Sequence, residues 1–281
     1  RRSQAWRGFC VHRTHLKASR ERNLAAPTQV LTLQSLNRWQ AFLIHLGLSV
    51  AIAAAVIGLV VFVWYPPPYF GAMGGEILLR LIIGVDVVLG PVITLIIFDP
   101  RKPRLTMDLA IIGGLQLAAL LYGVFVMFEA RPAWNVFVKD RFEVTAANAV
   151  DDASRLRAPA EYRALPLTGP RVVAGRAPTD PKEALAFGMS TMAGGPDVPA
   201  LPHLYVPYAD EAAAVARAAR PLQGLSRQSR AYADVVSAFV AEHGNGRELG
   251  YLPVRARNKD FTAVVDLKTG DVVGYLSLNP W

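Results

Sequence analysis

The sequence predicts a membrane protein in two parts: three N-terminal transmembrane α-helices, then a C-terminal soluble α+β domain with an antiparallel sheet. Three observations carry that prediction. Apolar residues concentrate between Trp39 and Phe128 instead of spreading along the chain. Basic residues flank those apolar stretches on one side only. The final segments alternate apolar and polar residues as half-buried strands do. The boundaries that follow are a basic cytoplasmic leader over 1–38, a three-helix membrane domain over 39–128 and a periplasmic domain over 129–281.

The first span is residues 40–64, which hold no Asp, Glu, Lys or Arg and a single titratable group, His45. Crossing a hydrocarbon core of roughly 30 Å takes about 20 apolar residues, so this stretch spans with some tilt. Trp39 at one end and Trp64 and Tyr65 at the other match interfacial aromatic belts. The stretch is too long for a signal-peptide core and has no small-residue cleavage site. Pro66, Pro67 and Pro68 end the helix. Residues 77–98 form the second span, interrupted by Arg80, Asp86 and Pro91, and residues 108–128 form the third, with Gln116 as its main polar intrusion.

Charge sets the orientation. The chain carries 281 residues, 19% of them charged, and a net charge of +8. Most of the excess lies in residues 1–38, where eight Lys/Arg face Glu21 alone. The loop at 99–107 adds Arg101, Lys102 and Arg104, whereas the Pro/Gly-rich loop at 65–76 has no Lys or Arg. Basic loops stay in the cytoplasm, so the N-terminus and loop 99–107 are expected inside, with loop 65–76 and everything after Phe128 outside. Residues 129–281 contain 18 Lys/Arg and 17 Asp/Glu; a domain that close to neutral is not expected to bind nucleic acid. Cys10 is the single cysteine and lies in the leader, which excludes an intrachain disulfide and a cysteine metal site.

Within the spans, Asp86 stands out. At about 1.5 Å per residue it falls near the bilayer midplane, where an Asp costs about 2.5–3.5 kcal/mol and usually faces protein or water. Gln116 and Tyr122 on the third span bracket its depth, so either can hydrogen-bond to it. Asp86, Gln116 and Tyr122 are therefore the candidate intramembrane helix contacts. Two readings of Asp86 stay open: a bond holding spans two and three together, or a docking point for a helix of another protein. A proton path is a weaker third, because His45 alone could extend it. Arg80 lies near the outer interface and can snorkel. Gly90 and Pro91 should kink the second helix, and Gly113 with Gly114 allows a close helix approach.

In the outer domain, residues 134–144 read as one strand, 151–181 mostly as loop with a short strand at 171–175, and Thr179 to Met192 as a capped helix. Two more helices are expected at 210–219 and 228–242. Strands follow at 251–257, 260–267 and 271–278, the last two joined by Lys268, Thr269 and Gly270 as a hairpin. Chemistry is sparse: no phosphate-binding glycine loop and no nucleophile elbow occur. His203 and His243 lack neighbours at metal-ligand spacing. Ser229, Asp234 and His243 can be drawn as a triad, but they read more simply as the surface and end of one helix. No catalytic residue, metal or cofactor is expected.

Several segments resemble the type IV pilin accessory protein family, TfpX/TfpZ. They are RWQAFLIHLGLSVAI (38–52), VWYPPPYF (63–70), GVDVVLGPVITLIIFDPRKP (84–103), DLAIIGGLQLAALLYG (108–123), ARPAWNVFVKDRFEV (130–144) and the ending LSLNPW (276–281). They follow in order over about residues 36–281. Residues 1–36 lie outside the likeness and read as disordered or as a mis-set start. The resemblance implies an inner-membrane accessory factor without enzymatic activity, which supports the stability or assembly of a particular pilin. A type IV pilin is the implied partner, with other pilus-assembly membrane proteins beside it in the bilayer. Asp86 lies within the family-like GVD–LGP stretch. A periplasmic sensor or signalling subunit, and less readily a membrane-anchored hydrolase, are the alternatives from other classes.

Overall fold

A computed structural model describes residues 35–281, so Cys10 and nearly all of the basic leader lie outside the described residues. Three helices are long and apolar enough to cross a membrane: α1 (Arg38–Trp64), α2 (Gly75–Ile97) and α3 (Leu105–Glu129). With 27 residues, α1 is about 40 Å long. It starts on a reciprocal cap in which Gln40 N donates to Asn37 Oδ1 at 2.8 Å and Asn37 N donates to Gln40 Oε1 at 2.9 Å. Its last turn, Val60–Trp64, is π-helical and runs into the three prolines.

The middle helix, α2, is the hub. Both α1 and α3 pack along it and share few contacts with each other. At one end Ala41, Phe98 and Leu105 close the bundle; at the other Val60, Ile82 and Met127 do so. Between these two plugs the helices splay. The expected break in α2 takes the form of a π-helical stretch, Gly84–Leu89, directly before Gly90 and Pro91. Proline lacks the N–H that a regular helix would donate there, and a widened turn is one way to absorb the loss.

The segment between α1 and α2, expected as a plain Pro/Gly loop, is built into the C-terminal domain. Tyr69 and Ala72 belong to that domain's core. The Tyr69 ring packs edge-on against Phe261 at 5.2 Å and Tyr275 at 5.5 Å. Asn135 Nδ2 donates to Tyr69 Oη at 3.1 Å and Tyr275 Oη at 3.0 Å. Asn258 N donates to Ala72 O at 2.9 Å, and Gly169 N donates to Val63 O at 2.8 Å. The other junction is held by buried Arg131, whose Nη1 donates to Phe128 O at 2.7 Å and Nε to Pro166 O at 2.9 Å. Burial lowers the Arg131 pKa, against the opposing pull of Glu129 and Tyr65.

The C-terminal domain is built on an eight-stranded sheet: β1 (Pro132–Val138), β2 (Arg141–Ala146), β3 (Arg171–Gly175), β4 (Tyr205–Val206), β5 (Arg220–Pro221), β6 (Leu249–Arg255), β7 (Phe261–Asp266) and β8 (Val272–Leu276). The order is β4-β3-β1-β2-β6-β7-β8, with β5 on β6. The sheet is mixed, which corrects the antiparallel expectation. β1 runs parallel to β3, and β2 runs parallel to β6. Hairpins announce themselves locally, as β7–β8 does, whereas β2 and β6 meet across more than a hundred residues of chain and leave no local trace. The single strand expected at 134–144 is also two strands, reversed at Lys139 (φ 58°) and Asp140.

The central strands are buried on both faces, and successive side chains alternate between them. Leu252, Val254, Ala263 and Val265 face the cluster that holds Tyr69. Tyr251 and Val264 face the opposite side, covered by Val236 and Phe239 of the helix Arg230–His243. Short helices at Asp152–Arg157 and Ala160–Arg163 occupy part of the expected loop and help to bury Trp134 with Tyr162 and Tyr205. Gly270 turns the last hairpin at φ 76°, and a Cβ there would lie 2.0 Å from Ala212 O.

Candidate functional site

The splayed middle of the helical bundle contains a cleft of about 130 Å³ whose walls come from all three helices. Asp86 in the π-helical turn of α2 forms its floor, with only 7% of its surface exposed. His45, Ser49 and Ala53 line the α1 side; Gly113, Gln116 and Leu120 line the α3 side. π-Turns inside longer helices recur at functional sites. Here the turn carries the one acidic residue among the described residues of the three helices that is buried.

The polar contacts of the cleft are few. Gln116 Nε2 donates to the backbone carbonyl of Asp86 at 3.3 Å. His45 Nδ1 lies 2.7 Å from Thr94 Oγ1, which ties α1 to the C-terminal half of α2. Gly90 makes the Gln116 position possible, since a Cβ there would lie 1.9 Å from Gln116 Nε2. Two buried acceptors, Asp86 Oδ2 and Gln116 Oε1, have no hydrogen-bond partner. In an apolar surrounding such a vacancy costs several kcal/mol, and nearly all buried polar atoms in folded proteins avoid it.

Of the three residues singled out in the sequence, Asp86 and Gln116 come together. Tyr122 does not join them: it is 70% exposed, on a face of α3 away from the cleft lining. Arg80 is exposed and pairs with Glu76 at 3.2 Å. Gly113 and Gly114 have nothing within 4 Å of a would-be Cβ, so the close approach expected of them is not made within this chain. The close helix contacts are instead Gly90 with Gln116 and Gly123 with Ile82. His45, weighed in the sequence only as the extension of a proton path, lines the cleft, while its partner Thr94 lies outside the lining; their spacing in the chain gives no sign that they pair.

The C-terminal domain offers weaker features. Ser229 caps the helix Arg230–His243 by accepting from Tyr232 N at 3.2 Å, while His243 sits at the other end, its ring stacked on Phe239 at 4.4 Å. At about 1.5 Å per residue these ends are roughly 20 Å apart, so Ser229, Asp234 and His243 form no triad. His203 Nδ1 does lie 2.6 Å from Ser154 Oγ. Ser154 is wholly buried, however, so the pair holds the helix Asp152–Arg157 in place and presents no nucleophile. Burial, helped by the Arg157 charge, lowers the His203 pKa. A more polar recess of about 410 Å³ lies beside Arg141, Glu143, Arg176 and Arg255. Burial raises the Glu143 pKa there, partly offset by Arg255 and Arg141.

Comparison with known proteins gives one consistent result. A family model described as fimbrial assembly protein FimB matches residues 34–74, the stretch that forms α1 and the inserted turn. The chain is 33% identical over 228 residues to the serogroup I fimbrial assembly protein of Dichelobacter nodosus, and 32% identical over 228 residues to that of serogroup E1. Each alignment covers 79% of this chain and 88% of the relative. The fimbrial assembly protein of serogroups C1 and C2 from the same organism is 41% identical over 103 residues, 36% of this chain and 79% of the relative. No solved structure matches the chain.

Proposed function

The chain belongs to the fimbrial assembly protein family, and we propose that it is a membrane-spanning accessory factor that holds a pilin during pilus biogenesis. A role in fimbrial biogenesis follows from the family. The manner of that role is our proposal, supported by the following features of the molecule. α1, α2 and α3 cross the bacterial inner membrane, with Arg101, Lys102 and Arg104 on the cytoplasmic side by the positive-inside rule. The mixed-sheet domain then stands in the periplasm. Pilins wait in the same membrane, each held by an apolar N-terminal helix with its globular head outside. A partner of that shape can be touched at both levels at once.

One observation supports this reading above the others: a buried carboxylate oxygen without a partner, in a cleft that neither α1 nor α3 closes. An ionisable group at that depth is a functional position by default. The pilin helix is proposed to lie over the mouth of the cleft, between α1 and α3, with the outer domain against the pilin head. The inserted turn joins the helices to the domain through Tyr69 and Asn135, so both contact surfaces move together.

Deleting the gene and restoring it on a plasmid tests the proposal. Loss of pilin or of surface pili on deletion, and recovery with the full chain, is the expected outcome. Unchanged pilin level and pilus number, with no pilin captured by crosslinking, would refute it.

A further inference from the structure

We infer that the cleft recognises its partner helix by a hydrogen-bond donor: an N–H or O–H on one side chain of that helix, set level with Asp86 and reaching Asp86 Oδ2. This deepens the proposal that the cleft holds a pilin helix, and rests on it.

The inference begins with what the cleft has and lacks. Its buried unpartnered atoms, Asp86 Oδ2 and Gln116 Oε1, are both acceptors. Of the donors nearby, Gln116 Nε2 gives one hydrogen to the Asp86 backbone carbonyl and His45 Nδ1 lies against Thr94 Oγ1, and neither contact reaches the two bare acceptors. Two bare buried acceptors are satisfied best by a ligand that brings a donor. Size narrows the ligand further. A water occupies about 30 Å³ of liquid, so 130 Å³ admits one side chain and no helix backbone. The helix that carries the side chain must therefore lie outside, along the mouth. Gly113 leaves part of the cleft wall bare of a side chain, with nothing within 4 Å of a would-be Cβ, so a second backbone can approach closely there. The occupant that satisfies all of these features is an apolar helix with one donor-bearing residue at mid-membrane depth.

Affinity capture of the tagged full-length protein from detergent-solubilised membranes, with the cell's own pilin as the probe, tests the inference. Asp86→Leu removes the acceptor and is expected to cut pilin recovery about tenfold, as loss of a strong interhelical hydrogen bond does. Gly113→Leu adds a side chain to the cleft wall, at a position whose Cβ meets nothing within 4 Å, and should cut it similarly. Asp86→Asn separates two donor types. Recovery within about threefold of the parent indicates a hydroxyl or amide donor, and recovery as low as Asp86→Leu indicates an ammonium. On the pilin side, alanine at one donor-bearing residue of the apolar helix should reproduce the loss, with no further loss when combined with Asp86→Leu.

Pilin recovery that is insensitive to Asp86→Leu and to every such alanine overturns the inference while sparing the pilin reading. Asp86 would then be an internal contact that closes on Gln116 through its own proton. No pilin recovered with the parent protein overturns the pilin reading itself. Should Asp86→Leu fail to accumulate, the pilin alanine series decides: one position that mimics the loss supports the inference, and none contradicts it.

Discussion

Asn135 shows how single residues join the two parts of the molecule. It has no exposed surface, and its amide nitrogen serves Tyr69 from the inserted turn and Tyr275 from β8. Burial raises the pKa of both tyrosines, so their hydroxyls keep their protons and need partners. Asn135→Ala leaves a void and strips both bonds; the expected cost is about 2 kcal/mol, or a Tm lowered by about 4–8 °C, measured on the full chain in detergent. His203 gives a pH-dependent counterpart. Its folded pKa lies below the ordinary 6.5, so the unfolded chain binds the proton more readily. Stability from this group is whole above that value and falls as pH drops through the window beneath it. His203→Gln can still bond Ser154 and should flatten the acid side of a Tm-against-pH curve. An unchanged slope would show that other groups set it.

At the scale of elements, the tightest fit is between α2 and α3 at Gly90 and Gln116. Gly90→Ala puts a methyl group where the Gln116 amide lies, and overpacking of that kind costs about 1–3 kcal/mol. Gln116→Ala should relieve part of it, so thermal unfolding of the double variant is expected to fall nearer the parent than Gly90→Ala alone. The sequence was informative where the signal is local. The three long helices were readable from apolar length, β3 from the run at 171–175, and the helix after Asp180 from its cap and early proline. Parallel pairing was not readable, because β1–β3 and β2–β6 join segments far apart in the chain. Nor was the inserted turn: three prolines and several glycines look like solvent-exposed loop until Tyr69 is seen inside the domain core. At the cleft, Asp86 and Gln116 were legible as polar residues in apolar runs. Rotation about the helix axis was not, and it turns Tyr122 outward.

For the molecule as a whole, topology and partnership are linked. If the helices cross the membrane as the loop charges direct, a reporter fused after Trp281 is active only outside the cytoplasm, and one fused within 99–107 only inside it. Activity of the first in the cytoplasm would place the outer domain away from any pilin head. With that orientation, the proposed arrangement of an apolar pilin helix over the cleft and a head against the mixed sheet's domain would make one continuous contact, because the inserted turn and Arg131 tie the helices to that domain. The most direct measurement is in-cell photocrosslinking from two positions of α3. Leu117 lines the cleft and is 56% exposed, whereas Tyr122 is 70% exposed on another face. A pilin adduct at Leu117, mapped to the pilin's apolar helix and absent from Tyr122, is the expected result; equal yields at both positions, or no pilin adduct at Leu117, would contradict a pilin held in the cleft.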